Sequence, residues 1–192
     1  ANLSEKELVP EAIIDSEYLY IEGYLVSSPT GKKAAIKARE IAENAGVKTT
    51  LSLSDPNMVN FFKEGLMEII GSGLDFIFSN EAEALKMAET DDISQAISLL
   101  QKLAKGFAIT RGGKGSLIFD GQELIEIPSV PVHAIDTVGA GDMYAGAFLY
   151  GITQGMNYEK AGNLASLAAS RIVTSFGPRL ATEEIQALVA NF

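Results

Sequence analysis

The chain has 192 residues, and 15 Lys and Arg against 25 Asp and Glu give a formal net charge of −10. At roughly 150 residues per domain, this length predicts a single domain, or a large piece of one, over residues 1–192. The absence of cysteine excludes thiol chemistry and cysteine metal sites, and one histidine cannot form a His-rich metal site. The acidic balance argues against nucleic acid and anionic membranes as partners, because both require a basic protein surface.

Neither a signal peptide nor a membrane span is predicted. Residues 1–7 are polar and acidic, unlike a signal peptide with its basic start and apolar run. The longest uncharged stretch, residues 143–158, contains several glycines and is shorter than the ~20 apolar residues that a span requires. We therefore expect a soluble cytoplasmic protein.

The first half of the chain alternates between strand and helix patterns. Ser4 and Glu7 form a capping-box sequence, which predicts a short helix that stops near Pro10. Short apolar and β-branched runs predict strands at 18–21, 47–53 and 74–78. Helical spacing of apolar residues predicts helices at 30–44, at 58–70 and from about 92 to 103.

The second half begins with strands and ends with helices. Strands are predicted at 107–110, 116–119 and 123–127, with a tight turn at 111–115 and a hairpin at Asp120-Gly121. Helices are predicted at 140–154, 158–174 and 182–190, and three aromatic residues at helical spacing are predicted to be core: Tyr144, Phe148 and Tyr150.

This alternation predicts an α/β fold. Strands that alternate with helices of about ten or more residues favour βαβ crossovers, hence a mostly parallel central sheet flanked by helices. The hairpin adds antiparallel strands at one edge. In open α/β sheets ligands bind at the carboxyl ends of strands, and three such ends carry unusual residues: 80–83, 110–115 and 136–142.

The most specific motif is Asp136-Thr137-Val138-Gly139-Ala140-Gly141-Asp142, which opens a predicted helix. Its glycines let the backbone approach a ligand closely, and the N–H groups of a helix N-terminus attract anions. Asp142 stands where a carboxylate could accept a proton from a hydroxyl that attacks a bound phosphate. The alternative is that the glycines form a connecting turn and that Asp142 merely caps the helix.

Two common phosphate-binding motifs are excluded. The G-x-G-x-x-G dinucleotide fingerprint requires a third glycine where Tyr144 stands, and the P-loop requires Gly-Lys followed by Ser or Thr, which the sequence lacks.

Three motifs together resemble the ribokinase-like (PfkB) family of carbohydrate and nucleoside kinases. Residues 136–142 match the family signature Asp-Thr-x-Gly-Ala-Gly-Asp, residues 80–83 match its Asn-x-x-Glu element, and residues 110–115 match its Thr-x-Gly-x-x-Gly turn. Their order and spacing also agree with the family. Residues 22–25 and 53–56 are most similar to bacterial adenosine-kinase-like members.

The resemblance implies a role for each motif. Asp142 would be the catalytic base, and an anion hole would be formed by the N–H groups of Gly139, Ala140, Gly141 and Asp142. The nucleotide site and the triphosphate would be contacted by Asn80, Thr110, Gly112 and Gly115. Metal-binding residues would be Glu83, which holds Mg²⁺ through water, and Asp136, which with the Val138 carbonyl matches a monovalent-cation site for K⁺.

Each motif taken alone also has an ordinary structural explanation. Asn80 and Glu83 form a routine helix start, residues 111–115 form a glycine-rich turn, and Asp136 could cap a turn. Their joint presence favours the kinase interpretation.

The resemblance therefore implies an ATP-dependent phosphotransferase that acts on a hydroxymethyl group of a sugar or nucleoside, with an adenosine-like acceptor favoured. Its cofactors would be ATP and Mg²⁺, with K⁺ as a further candidate. Family members are longer and begin with a lid and acceptor-binding region that has no counterpart here. We accordingly expect the nucleotide-binding part of a kinase, which forms a homo-oligomer or pairs with the missing N-terminal segment. The alternative is a non-catalytic module that binds a nucleotide or a partner.

Overall fold

The computed structural model of the chain describes residues 3–190. The strands are β1 (Tyr18–Glu22), β2 (Lys48–Ser52), β3 (Leu74–Asn80), β4 (Ala104–Thr110), β5 (Ser116–Phe119) and β6 (Leu124–Ile127). The α-helices are α1 (Pro10–Ile14), α2 (Pro29–Ala45), α3 (Pro56–Ile70), α4 (Glu81–Ala88), α5 (Ile93–Leu103), α6 (Ala140–Thr153), α7 (Tyr158–Ile172) and α8 (Thr182–Val189). Short 3₁₀ helices occupy Glu5–Glu7, Gly23–Ser27 and Gly112–Lys114.

The six strands form one sheet in the order β1-β2-β3-β4-β5-β6. β1 pairs with β2 and β2 with β3 in parallel, so that Tyr20 lies opposite Thr50, and Thr50 opposite Phe76. β5 and β6 pair antiparallel, with Leu117 opposite Glu126. The predicted α/β fold with an antiparallel hairpin at one edge is confirmed.

The chain divides into two compact units, Ala1–Ala108 and Ile109–Phe192. The first is built around fully buried side chains such as Leu51, Leu66 and Phe76, and the second around Ile118 and Phe148. Complete burial of such side chains contributes about 1.5–3 kcal/mol each relative to exposure. The prediction of a single domain over residues 1–192 stays a prediction.

The N-terminal helix differs from its prediction. Ser4 and Glu7 do form a capping box, in which the Ser4 N–H donates to Glu7 Oε2 at 2.7 Å, but it opens a 3₁₀ turn. Pro10 then begins α1 rather than ending a helix. Proline suits the first position of a helix because the N–H that it lacks would have no partner there.

The helical aromatic residues divide between core and surface. Tyr144 and Phe148 are buried, as predicted, whereas Tyr150 is 40% exposed and its assignment to the core was wrong. Residues 144 and 148 are one helical turn apart and therefore share the buried face of α6. Residue 150 is two positions after 148 and lies on a different, exposed face. Among residues 3–190, no helix has the length and apolar character needed to cross a bilayer.

Candidate active site

The N-terminus of α6 has no side-chain cap. Its N-cap residue is Gly139, with φ 80° and ψ 0°, and no side chain accepts a hydrogen bond from the first turn. The Ala140 N–H donates to the Thr137 carbonyl at 3.2 Å, so this member of the predicted anion hole is already engaged. Within residues 3–190, the N–H groups of Gly141 and Asp142 have no backbone acceptor, and they remain available to an anion.

Two glycines shape this helix start in different ways. Gly139 adopts a left-handed conformation, and a Cβ there would lie 2.8 Å from the Pro178 Cα, so a side chain is excluded on both grounds. A Cβ on Gly141 would meet nothing within 4 Å. The space beside the Gly141 backbone is therefore open to a ligand.

Asp142 lies in the first turn of α6 and is exposed. Its carboxylate has no hydrogen-bond partner within the described part of the chain, and it lies at the positive end of the dipole of α6. An ionised carboxylate with free lone pairs can accept a proton from a neighbouring hydroxyl.

A cavity of about 640 Å³ lies within the second unit, next to this helix start. It brings together five of the predicted site residues: Thr110, Gly112, Gly115, Ala140 and Gly141. The cavity is also lined by residues that the sequence analysis did not assign to the site. They include Ser129, Val130, Pro131, Val132, Thr137, Tyr144, Ala169, Ser170 and Val173. The proline-containing segment after β6 and the small residues of α7 gave only a weak signal, because such residues also suit loops and close helix packing.

The turn at 110–115 is closed by its own backbone. The Arg111 N–H donates to the Gly115 carbonyl at 2.8 Å, and the Gly115 N–H donates to the Gly112 carbonyl at 3.0 Å. Gly115 has φ 85°, and a Cβ there would overlap the carbonyl oxygen of Ile127. The Ser129 hydroxyl donates to the Gly113 carbonyl at 2.7 Å, which ties the turn to the segment after β6.

Asp136 connects two loops. Its Oδ1 accepts from the Val138 N–H and its Oδ2 from the Gly177 N–H, each at 3.0 Å. These two hydrogen bonds lower the pKa of the Asp136 carboxyl below its usual value. The carboxylate thus has a structural role in holding the loop before α6, and its predicted cation-binding role stays a prediction.

Asn80 and Glu83 lie in the first unit, where they form a capping box at the start of α4. Asn80 Oδ1 accepts from the Glu83 N–H at 2.8 Å, while the Glu83 carboxylate accepts from the Asn80 N–H at 2.9 Å and from Asn80 Nδ2 at 2.6 Å. Glu83 is only 4% exposed. Burial raises the pKa of its carboxyl to about 7, and the negative charges of Asp55 and Glu22 act in the same direction.

A model of the pfkB family of carbohydrate kinases matches residues 1–185, so the chain belongs to that family. Among curated relatives, a cytidine kinase from Thermococcus kodakarensis is 29% identical over 88% of this chain and 59% of its own length. A ribokinase from Bacillus subtilis is 39% identical over 53% of this chain and 34% of its own length. The matched part of the chain therefore spans less than two thirds of the length of either relative.

Among solved structures, adenosine kinase from Sinorhizobium meliloti superposes with a TM-score of 0.93 at 33% identity. The match covers 99% of this chain and 59% of that one. A probable sugar kinase from Rhizobium etli gives a TM-score of 0.92 at 32% identity, over 98% of this chain and 58% of that one.

Proposed function

We propose that this chain forms the nucleotide-binding part of an ATP-dependent kinase, which transfers the γ-phosphoryl group to a hydroxymethyl group of a sugar or nucleoside. One observation carries the proposal: an uncapped helix start with a free carboxylate borders a cavity that also contains a glycine-rich turn. Membership of a carbohydrate kinase family supports the same reaction class.

The helix start supplies the electrostatic part of the reaction. Phosphoryl transfer depends mainly on positioning and on stabilisation of the negative charge carried by the phosphate oxygens. The free N–H groups of Gly141 and Asp142 and the dipole of α6 would provide that stabilisation from fixed positions. The backbone at 139–142 would therefore form the anion hole, with a smaller contribution from Ala140, whose N–H already has an acceptor.

Asp142 would act as the base. The acceptor hydroxyl oxygen forms a bond to the γ-phosphorus while the bond from that phosphorus to the β–γ bridging oxygen breaks, and the hydroxyl proton passes to the Asp142 carboxylate. A carboxylate is a weak base, but in a loose transition state the hydroxyl loses its proton late, so a weak base suffices.

Asn80 and Glu83 would hold Mg²⁺, and Asp136 with the Val138 carbonyl would hold a monovalent cation such as K⁺. Mg²⁺ prefers oxygen ligands, keeps several waters and uses one or two carboxylates together with substrate phosphates. Each Glu83 oxygen accepts one hydrogen bond from Asn80 and retains a lone pair, which fits water-mediated contact. Bound Mg²⁺ would neutralise charge on the phosphates.

The acceptor is proposed to be a nucleoside, with adenosine favoured. The similarity of residues 22–25 and 53–56 to adenosine-kinase-like members supports this choice, as does the adenosine kinase from Sinorhizobium meliloti at 33% identity.

Nucleotide binding can be tested by thermal unfolding with millimolar Mg·ADP. A ligand present at 100 times its dissociation constant stabilises the folded state by about 2.7 kcal/mol. We expect a clear rise in Tm with Mg·ADP and none with MgCl₂ alone. An unchanged Tm would contradict the assignment of the nucleotide site.

A further inference from the structure

Ser116 and Tyr144 form a buried hydrogen bond that no role described above uses. Their hydroxyl oxygens lie 2.7 Å apart, and the two residues are 1% and 3% exposed. Burial raises the pKa of the Tyr144 phenol to about 12, so the hydroxyl stays protonated at physiological pH. The pair is therefore a permanent neutral hydrogen bond in the core of the second unit.

Tyr144 lines the cavity, and Ser116 is the chain neighbour of Gly115, which lines it too. Ser116 directly follows Gly115, the last residue of the 110–115 turn, whose conformation its own backbone fixes. Tyr144 lies one helical turn after Ala140 and Gly141, and all three line the cavity. The hydrogen bond thus connects the residue that follows the turn with the first turns of α6.

Stability alone does not require this pair. Replacing both partners of a buried hydrogen bond by apolar groups of similar shape is close to neutral, whereas removing one partner leaves a costly unsatisfied group. What a hydrogen bond adds over apolar contact is a defined distance and direction between the two elements.

We infer that the Ser116–Tyr144 hydrogen bond fixes the position of the α6 start relative to the 110–115 turn, so that one nucleotide contacts both at once. Ser116 and Tyr144 are then positioning residues. This inference rests on the proposed function, in which α6 binds the phosphates, and it adds that the 110–115 turn binds the nucleoside part. A small displacement between two contact regions weakens the binding of a ligand that spans them, whereas the binding of a ligand that touches only one region is unaffected.

The test compares ADP, which would span both regions, with inorganic pyrophosphate, which would contact the α6 start alone. Dissociation constants and Tm are measured for four proteins: the unsubstituted chain, Tyr144→Phe, Ser116→Ala and the double variant. Each single variant leaves one buried hydroxyl without a partner, so we expect a lower Tm, and we expect the double variant to recover it. Tyr150→Phe is the control, because Tyr150 lies on the same helix and is exposed.

We expect the double variant to bind ADP about three- to tenfold more weakly, the factor that one hydrogen bond carries, and to bind pyrophosphate as the unsubstituted chain does. A pair that only satisfied its own polar groups would give unchanged ADP binding in the double variant, which would overturn the inference. Equal loss of ADP and pyrophosphate affinity would also overturn it, because the pair would then shape the phosphate site itself. Failure of the unsubstituted chain to bind ADP would instead overturn the proposed function, and this inference with it.

Discussion

Helices α4 and α6 both begin at a motif that resembles a kinase element, but their first turns are completed differently. At α4, Asn80 and Glu83 are joined by three hydrogen bonds, and Glu83 is buried. At α6, Gly139 replaces the capping side chain, and the Asp142 carboxylate is exposed without a partner among residues 3–190. A helix N-terminus is available to an anion when its own side chains do not already occupy the N–H groups. The α6 start is therefore the stronger candidate for direct phosphate contact.

The largest expected effect tests whether Asp142 is a base or only part of a helix start. In a protein of full family length that includes this chain, we expect Asp142→Asn to reduce kcat by roughly 10²–10⁴, the usual contribution of a general base. Nucleotide affinity should change little, because the backbone N–H groups remain. Steady-state kinetics with adenosine and Mg·ATP measure both quantities.

Glu159→Gln is the matched control for Asp142→Asn, since Glu159 is an exposed acid in the first turn of α7. It should leave kcat unchanged. Near-normal turnover of Asp142→Asn would mean that Asp142 only stabilises its helix.

The second test concerns the start of α4, where Asn80 and Glu83 hydrogen-bond each other. The pKa of Glu83 is about 7 in the folded chain against an ordinary value of 4.5. Between these pH values the unfolded chain releases a proton that the folded chain retains, so the contribution of Glu83 to stability falls as pH rises from about 4.5 to 7. At about 1.4 kcal/mol per unit of pKa difference, this loss of stability amounts to roughly 3 kcal/mol. We expect Glu83→Gln to remove this dependence.

The measurement is urea unfolding in metal-free buffer at pH 5 and pH 8, with the free energy of unfolding compared between Glu83→Gln and the unsubstituted chain. The variant should gain stability relative to the unsubstituted chain at pH 8. Asp92→Asn is the control: hydrogen bonds from Ser94 lower the pKa of this exposed cap, so it stays ionised across that range. If the difference in free energy of unfolding between Glu83→Gln and the unsubstituted chain did not vary with pH, the raised pKa of Glu83 would be contradicted.

The smallest effect separates helix stability from ligand access at α6. Gly141→Ala and Gly146→Ala each add a methyl group to a helical position where nothing lies within 4 Å. Each should raise the free energy of unfolding by roughly 0.5–1 kcal/mol, because alanine loses less entropy in a helix. We expect Gly141→Ala alone to weaken ADP binding, roughly tenfold if it disturbs one hydrogen bond to a charged phosphate.

Thermal unfolding and ADP titration of the two glycine variants check this prediction, with Gly146→Ala as the control on the same helix. Equal ADP affinity in both variants would show that the ligand does not approach the backbone at Gly141. The α6 start would then be no more available to a phosphate than the α4 start.

Local patterns determined most of what the sequence predicted. The order of strands and helices follows from the spacing of apolar residues, and the capping boxes at Ser4 and Asn80 follow from partners three residues apart. The exception near Pro10 is also local, because proline at that point is compatible with either the end of one helix or the start of another.

The sequence by itself therefore determined the α/β fold, the edge hairpin and the motif at 136–142. Tertiary structure alone decided the long-range contacts near that motif: the contact between Gly139 and Pro178, the bond from Gly177 to Asp136 and the pairing of Ser116 with Tyr144. In the first unit it decided the burial of Glu83. The physical reason is distance along the chain. Backbone periodicity fixes neighbours within about four residues, whereas contacts between distant residues depend on how whole elements pack.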